Sequence, residues 1–135
     1  MPRIATNSIE LYYESYGAAS APAVLLIMGL GSQLTRWNIE LCDSLVARGF
    51  RVIRFDNRDC GLSTRCDGLP LPDLGAALRG GPLSVLPYSL ETMAADSIGL
   101  LDALEIDQAH LVGASMGAGI AEIMAARYPD RVVSL

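Results

Sequence analysis

The stretch Ala109-His110-Leu111-Val112-Gly113-Ala114-Ser115-Met116-Gly117-Ala118-Gly119-Ile120 decides how this chain folds. Ala109 to Val112 is a short apolar run, as expected of a strand inside a sheet. Beyond Gly117 the apolar spacing changes, and Ile120, Ile123, Met124 and Arg127 outline a helix closed by Tyr128-Pro129. Ser115 stands where strand gives way to helix. So sharp a turn holds its central residue at strained backbone angles, and only tiny neighbours let the strand and the helix approach each other. Gly113, Ala114, Gly117, Ala118, Gly119 and Ala121 supply that small surface. The helix then aims its unpaired N–H groups and positive dipole end at the Ser115 hydroxyl, where they favour developing negative charge.

The segments upstream agree with a layered α/β architecture. In Ile4 to Tyr16, Ile9, Leu11 and Tyr13 alternate with more polar neighbours, and Asn7-Ser8 offers turn chemistry, which predicts an antiparallel hairpin. Gly17 to Pro22 is a small-residue loop. Ala23 to Met28 is an unbroken apolar run, the signature of a strand covered on both faces, and it stops at Gly29-Leu30-Gly31-Ser32. Leu34, Trp37, Leu41 and Leu45, flanked by Ile39, Cys42 and Val46, predict one helix from Leu34 to Gly49. Phe50 to Phe55 reads as the next strand, ending at Asp56. Residues 64–88, rich in proline and glycine, predict an irregular loop or excursion over the sheet. Ser89 is placed to cap a helix carrying Leu90, Met93, Ala94, Ile98, Leu101 and Leu104, with Glu91 in its first turn. Arg131 to Leu135 predicts a last strand. The fold class is therefore α/β: a mostly parallel sheet with helices on both faces and an N-terminal antiparallel hairpin.

Composition narrows the function. The 135 residues are 51% hydrophobic and 19% charged, far from a disordered composition. The net charge is −5 and the ten Lys and Arg residues are scattered singly, which argues against a nucleic-acid partner. No apolar stretch approaches the roughly 20 residues of a membrane span. Met1 to Tyr16 lacks the charged and apolar regions of a secretion signal, so the expected location is cytoplasmic, with no membrane partner. Cys42, Cys60 and Cys66 show no CxxC spacing and have one histidine, His110, to join them, so free thiols are expected and no metal site.

Ser115 is the candidate nucleophile. The Met116 N–H, at the start of the following helix, is one candidate oxyanion donor, and the N–H of Leu30, in the turn after an earlier central strand, is the second. A serine hydroxyl needs a base to take its proton. His110 is a poor base for it: five strand residues at roughly 3.3 Å each put it about 16 Å away, and the odd offset points it to the opposite face. Asp130 sits in the turn closing the next helix and reads as a solvated residue. Asp56 and Arg58 read as residues that pin the loop after their strand. Two other readings compete. Gly29 and Gly31 follow a strand and open a helix, and Asp56 ends the next strand, as in a dinucleotide-binding domain, but Leu34 occupies the position where a third glycine would let helix and sheet close up. The chain could also be a non-catalytic interaction module that keeps only the scaffold.

A GxSxG pentapeptide alone is weak evidence, but here it is one of three landmarks in order. Leu26-Ile27-Met28-Gly29-Leu30-Gly31 resembles the strand and oxyanion loop of the α/β-hydrolase superfamily. Asp56-Asn57-Arg58-Asp59-Cys60-Gly61-Leu62-Ser63 resembles that family's DxRGxGxS turn, and Gly113-Ala114-Ser115-Met116-Gly117 its nucleophile elbow. Met28 stands where the family usually has histidine and Asp59 where it usually has glycine, two departures that resemble the subgroup including aclacinomycin methylesterase. The resemblance implies that residues 1–135 are the N-terminal part of a hydrolase domain, a truncated α/β-hydrolase fold. It implies a serine hydrolase acting through an acyl-enzyme on a small-molecule ester, thioester, amide or lactone, without a cofactor. It further implies that the catalytic acid and histidine come from a complementing C-terminal segment or chain. The isolated chain is expected to be inactive or nearly so, and marginal in stability because Arg131 to Leu135 would form an unprotected edge.

Overall fold

The computed structural model describes residues 2–70, 72–82 and 86–135. One six-stranded sheet runs through it, in the order β1-β2-β4-β3-β5-β6. The hairpin β1 (Arg3–Thr6) and β2 (Ile9–Tyr16) is antiparallel, and β2 meets β4 (Arg51–Phe55) antiparallel, so the amino-terminal hairpin forms one flank. From there the sheet is parallel: β4 beside β3 (Ala23–Ile27), β3 beside β5 (Ala109–Gly113), and β5 beside β6 (Val132–Ser134). The expected mostly parallel sheet with a leading hairpin is what forms.

All five residues of β3 are buried, because helices cover both faces. Val24 and Leu26 point to one side, where they meet Val52 of β4, Cys42 of α1 (Ile39–Ala47), and Trp37, Leu45 and Val46. Leu25 and Ile27 point to the other, into the larger core. There Ile53 and Phe55 meet Met93, Ala94, Ile98 and Leu101 of α3 (Leu90–Ala103) and Ile120, Ala121 and Met124 of α4 (Met116–Arg127). The period-2 alternation of a single strand thus feeds two cores.

The predicted helix from Leu34 to Gly49 is shorter and broken. Leu34–Arg36 form a 3-10 turn, Trp37 is extended, and α1 begins only at Ile39, where the Asn38 side chain accepts the Leu41 N–H at 3.0 Å. Trp37 ends the 3-10 turn and Asn38 caps α1, and the Leu34 N–H is drawn to the Asp56 carboxylate at 2.7 Å. Ser89 caps α3 as expected, in a reciprocal capping box with Thr92. Within residues 64–88, a five-residue helix, α2 (Leu74–Leu78), starts at Asp73, whose side chain accepts the Ala76 N–H. Residues 71 and 83–85 of that stretch lie outside the described residues. The last strand is Val132–Ser134, preceded by a 3-10 turn at Pro129–Arg131.

Register positions the site. Ile27 pairs with Gly113, and Leu26 pairs with both Arg54 and Val112, so β3, β4 and β5 end at one edge of the sheet. Three loops meet there: residues 28–33, residues 56–66, and the turn at Ser115. This is the carboxyl edge where open α/β sheets place their ligands.

Candidate active site

Ser115 is held at φ 55 and ψ −121, angles that an L-residue adopts only at a cost of order 1–3 kcal/mol. Its neighbours explain how. Ala114 N–H donates to the Ile27 carbonyl at 3.0 Å, tying the end of β5 to β3, and α4 then starts at once, with Gly117 N–H bonded to Ala114 and Ala118 N–H to Ser115. A Cβ on Gly113 would lie 2.4 Å from the Gly117 carbonyl oxygen and 2.6 Å from the Ala118 Cα. A Cβ on Gly117 would lie 2.1 Å from the Ile27 carbonyl oxygen. Gly113 lets α4 fold back onto β5, and Gly117 lets it sit on β3. Both glycines of the GxSxG pattern are therefore required by backbone contacts, and the serine between them is left exposed at the sheet edge.

The loop after β3 lies against this turn. A Cβ on Gly29 would be 3.1 Å from the Ser115 Cβ and 3.6 Å from its Oγ. Ser32 N–H donates back to the Gly29 carbonyl at 3.3 Å, so Leu30 sits at the tip of a tight turn and is 73% exposed. Asn57 steadies the turn from below through Nδ2, which donates to the Met28 carbonyl at 2.9 Å. Among the described residues neither the Leu30 nor the Met116 N–H donates to a backbone acceptor. The structure thus brings Leu30, Ser115 and Met116 to one edge.

The loop after β4 is built around Asp56, which is 2% exposed. One carboxylate oxygen accepts the Leu34 N–H at 2.7 Å and the other the Leu62 N–H at 2.9 Å. Ser63 Oγ donates to the Asp56 carbonyl and accepts the Tyr12 N–H. Both oxygens of Asp56 are engaged in holding loops, which leaves it unsuited to grip a ribose, so Gly29, Gly31 and Asp56 do not make a dinucleotide site. Arg58 makes a two-pronged pair with Asp96 of α3, at 2.6 and 2.7 Å, and Asn7 Nδ2 donates to the same carboxylate at 2.8 Å. Sequence reasoning missed Asp96. Its signal was a carboxylate set among Met93, Ala94, Ser97, Ile98, Leu100 and Leu101, the buried stripe of α3. A charge there needs a partner.

His110 turns away from Ser115. Its Nδ1 lies 2.8 Å from Ser134 Oγ and its ring meets the edge of Phe50 at 5.6 Å, on the α1 side of the sheet. Asp130 lies in the 3-10 turn after α4, where its carbonyl accepts the Gln108 side chain. Neither joins the site. The three cysteines are free, and burial pushes the Cys42, Cys60 and Cys66 thiols up, away from the thiolate form a nucleophile needs. No helix of the described residues is long and apolar enough to cross a membrane.

A cleft of about 890 Å³ is bordered by Leu30 and Met116 and lined by Tyr88, Leu90, Met93 and Ile123, with Asp59, Arg65, Asp67 and Glu91 among the charged residues on it. Its size matches a site for a small organic molecule.

A family model described as alpha/beta hydrolase fold matches residues 22–135. The chain is 33% identical over 132 residues to a rhodomycin D methylesterase of Streptomyces peucetius, covering 98% of this chain and 39% of that protein. Among solved structures, epoxide hydrolase A from Mycobacterium thermoresistibile superposes with a TM-score of 0.79 at 27% identity, over 97% of this chain and 36% of that one. The enol-lactonase from Burkholderia xenovorans LB400 gives 0.76 at 32% identity, over 97% and 44%. The chain thus spans about two fifths of the length of the curated relative it matches.

Proposed function

The chain belongs to the α/β-hydrolase family, and from that premise we propose that it is the N-terminal part of a serine hydrolase whose nucleophile is Ser115. The observation that carries this reading is Ser115 itself: a small polar residue held at φ 55, ψ −121 and exposed at the carboxyl edge of the sheet. Backbone strain of this kind persists where the surrounding structure over-determines it, and it clusters at active sites.

In this mechanism Ser115 Oγ attacks the carbonyl carbon of an ester, thioester, amide or lactone, and its proton passes to a histidine carried by a C-terminal segment or chain. The oxygen of the tetrahedral intermediate takes up negative charge and receives the N–H groups of Leu30 and Met116. The positive end of the α4 dipole acts at the same point. Removing one such donor costs about 3–4 kcal/mol of transition-state stabilisation. Collapse of the intermediate expels the leaving group, which takes the proton from the histidine, and water then releases the acyl group. The methylesterase and enol-lactonase among the similar proteins support acyl transfer over other chemistries of the fold.

The test is to treat the complete natural protein with a serine-reactive fluorophosphonate and to locate the label by peptide mass. Label on Ser115, lost in Ser115→Ala together with esterase turnover, supports the proposal. Turnover that survives Ser115→Ala would reject it in favour of a scaffold role. The intact mass of the labelled species tells whether acid and histidine lie on the same chain.

A further inference from the structure

The loop that presents Leu30 owes its freedom to a steric need. A Cβ on Gly29 would lie 3.1 Å from both the Ala114 carbonyl oxygen and the Ser115 Cβ, so any side chain there would press on the Ser115 turn. The same missing side chain lets the backbone rotate at residue 29 more freely than any other residue type would. The Leu30 N–H lies in the rigid peptide plane that follows Gly29, and its direction depends on how that plane is turned against the plane before it. Two hydrogen bonds hold the two planes. The Gly29 carbonyl, in the same plane as the Leu30 N–H, accepts the Ser32 N–H at 3.3 Å, beyond the usual range of about 2.7–3.2 Å. The Met28 carbonyl, in the plane before, accepts Asn57 Nδ2 at 2.9 Å.

Asn57 follows β4 by two positions and is buried, and its own carbonyl accepts the Cys60 N–H at 3.1 Å. No backbone N–H of the described residues donates to the Met28 carbonyl, so the Asn57 amide supplies its bond. Gly117 of α4 packs on the same oxygen, where a Cβ would come within 2.9 Å. Resting on the reading of Ser115 as nucleophile and of the Leu30 N–H as oxyanion donor, we infer that Asn57 is a positioning residue for acyl transfer: its bond to the Met28 carbonyl fixes the backbone before Gly29 and so keeps the Leu30 N–H turned toward the oxyanion. Asn57 acts through Leu30 and not on the reacting atoms. Without its donor the Met28 carbonyl is left unpaired, the Met28–Gly29 plane turns to find another partner, and Gly29 passes the rotation on to the Leu30 N–H. Ser115 keeps its place, because the Ala114 N–H bond to Ile27 and the close contacts of Gly113 and Gly117 set it independently of Asn57.

The experiment measures p-nitrophenyl acetate turnover and trifluoroacetophenone inhibition on the complete protein. Ser115 Oγ adds to the ketone carbon of the inhibitor, its proton passes to the histidine, and the former carbonyl oxygen becomes an oxyanion that stands where the tetrahedral intermediate's does. Losing a whole oxyanion donor costs about 10²–10³ in kcat, so a misdirected one should cost at least tenfold. Asn57→Leu keeps the size and loses the donor; it should lower kcat and kcat/KM together by at least tenfold, leave KM unchanged, and weaken trifluoroacetophenone by a similar factor. In Asn57→Asp the introduced carboxyl has no proton for the Met28 carbonyl while ionised and one when protonated, and burial favours the protonated form. Its kcat relative to wild type at the same pH should therefore be lowest near about pH 8 and rise at least threefold by about pH 5.5. A role confined to stability would lower the urea midpoint but leave that pH profile flat. Asn57→Leu turnover within threefold of wild type, a loss carried by KM, or an unchanged affinity for trifluoroacetophenone overturns the inference. If Asn57→Leu does not fold, Asn57→Asp decides, and a ratio that does not change with pH overturns it. Fluorophosphonate labelling separates the two levels: a wild type that takes no label on Ser115 removes the reading on which this rests, whereas labelled wild type with unimpaired Asn57 variants removes only the role of Asn57.

Discussion

Gly117 and Gly119 lie two residues apart on α4 and make a matched pair. At Gly119 a Cβ would meet only the Leu90 Cδ1, at 3.6 Å, an ordinary contact. At Gly117 it would lie 2.1 Å from the Ile27 carbonyl oxygen, 2.7 Å from the Ile27 carbonyl carbon and 2.9 Å from the Met28 carbonyl oxygen. All three atoms are backbone in or just after the central strand, so no side chain can swing aside. For Gly117→Ala, α4 must withdraw from β3 by about 1 Å, against a close-packed interior. Overpacking of that kind costs about 1–3 kcal/mol. The same displacement carries Ser115 away from the Gly29 turn, and a 1 Å misplacement of reacting groups lowers turnover by roughly 10²-fold. Gly119→Ala should instead stabilise the helix by about 0.5–1 kcal/mol and leave Ser115 where it is. Urea unfolding and kcat/KM on an ester, measured on the complete protein, give both quantities for both variants. Equal effects of the two alanines, or a Gly117→Ala variant with wild-type turnover, would refute the claim that helix-to-strand contact sets the position of Ser115.

Replacing Asp56 by alanine strands the buried Leu34 amide at about 1–3 kcal/mol and leaves the half-exposed Leu62 amide to water; the urea midpoint should fall accordingly, and a change below 1 kcal/mol would mean that another acceptor serves the Leu34 amide. Acid should weaken the fold through Glu14. Burial raises Glu14, but bonds from Tyr16, Arg54 and Tyr12 outweigh it and hold its carboxyl below the usual range. A carboxylate with a depressed folded pKa contributes stability that is present above its unfolded value, about 4, and is lost as pH falls through the folded value. The urea midpoint should therefore drop on acidification below about pH 4, and the drop should be shallower in Glu14→Gln, where an unaltered slope would count against the assignment.

The elements legible in the sequence were those governed by local rules. β3 announced itself by an unbroken apolar run, α3 by Ser89 and its apolar spacing, and the Ser115 turn by glycines whose need is steric. The Leu34–Gly49 reading failed because the apolar period continues across Asn38, whereas the backbone obeys a capping side chain and a carboxylate 22 positions away at Asp56. Asp96 and Tyr88 escaped notice for a related reason. Their partners, Asn7 and Arg58, are distant in sequence, and no periodic pattern encodes a pairing between a turn, a loop and a helix. Asp59 was visible as a departure from a familiar turn, but its bond to the Cys66 amide, at 2.5 Å, became legible only in the structure.

The carboxylate of Asp96 also sets an order of events during synthesis. Thr6 Oγ1 donates to the Asp96 carbonyl across 90 positions, and Asn7 Nδ2 to its side chain across 89. A ribosome adding about 5–20 residues per second makes the hairpin roughly 5–20 s before it makes the anchor that the hairpin turn needs. β4, made in between, can already pair with β2, but the turn at Thr6 and Asn7 stays without its anchor until α3 emerges.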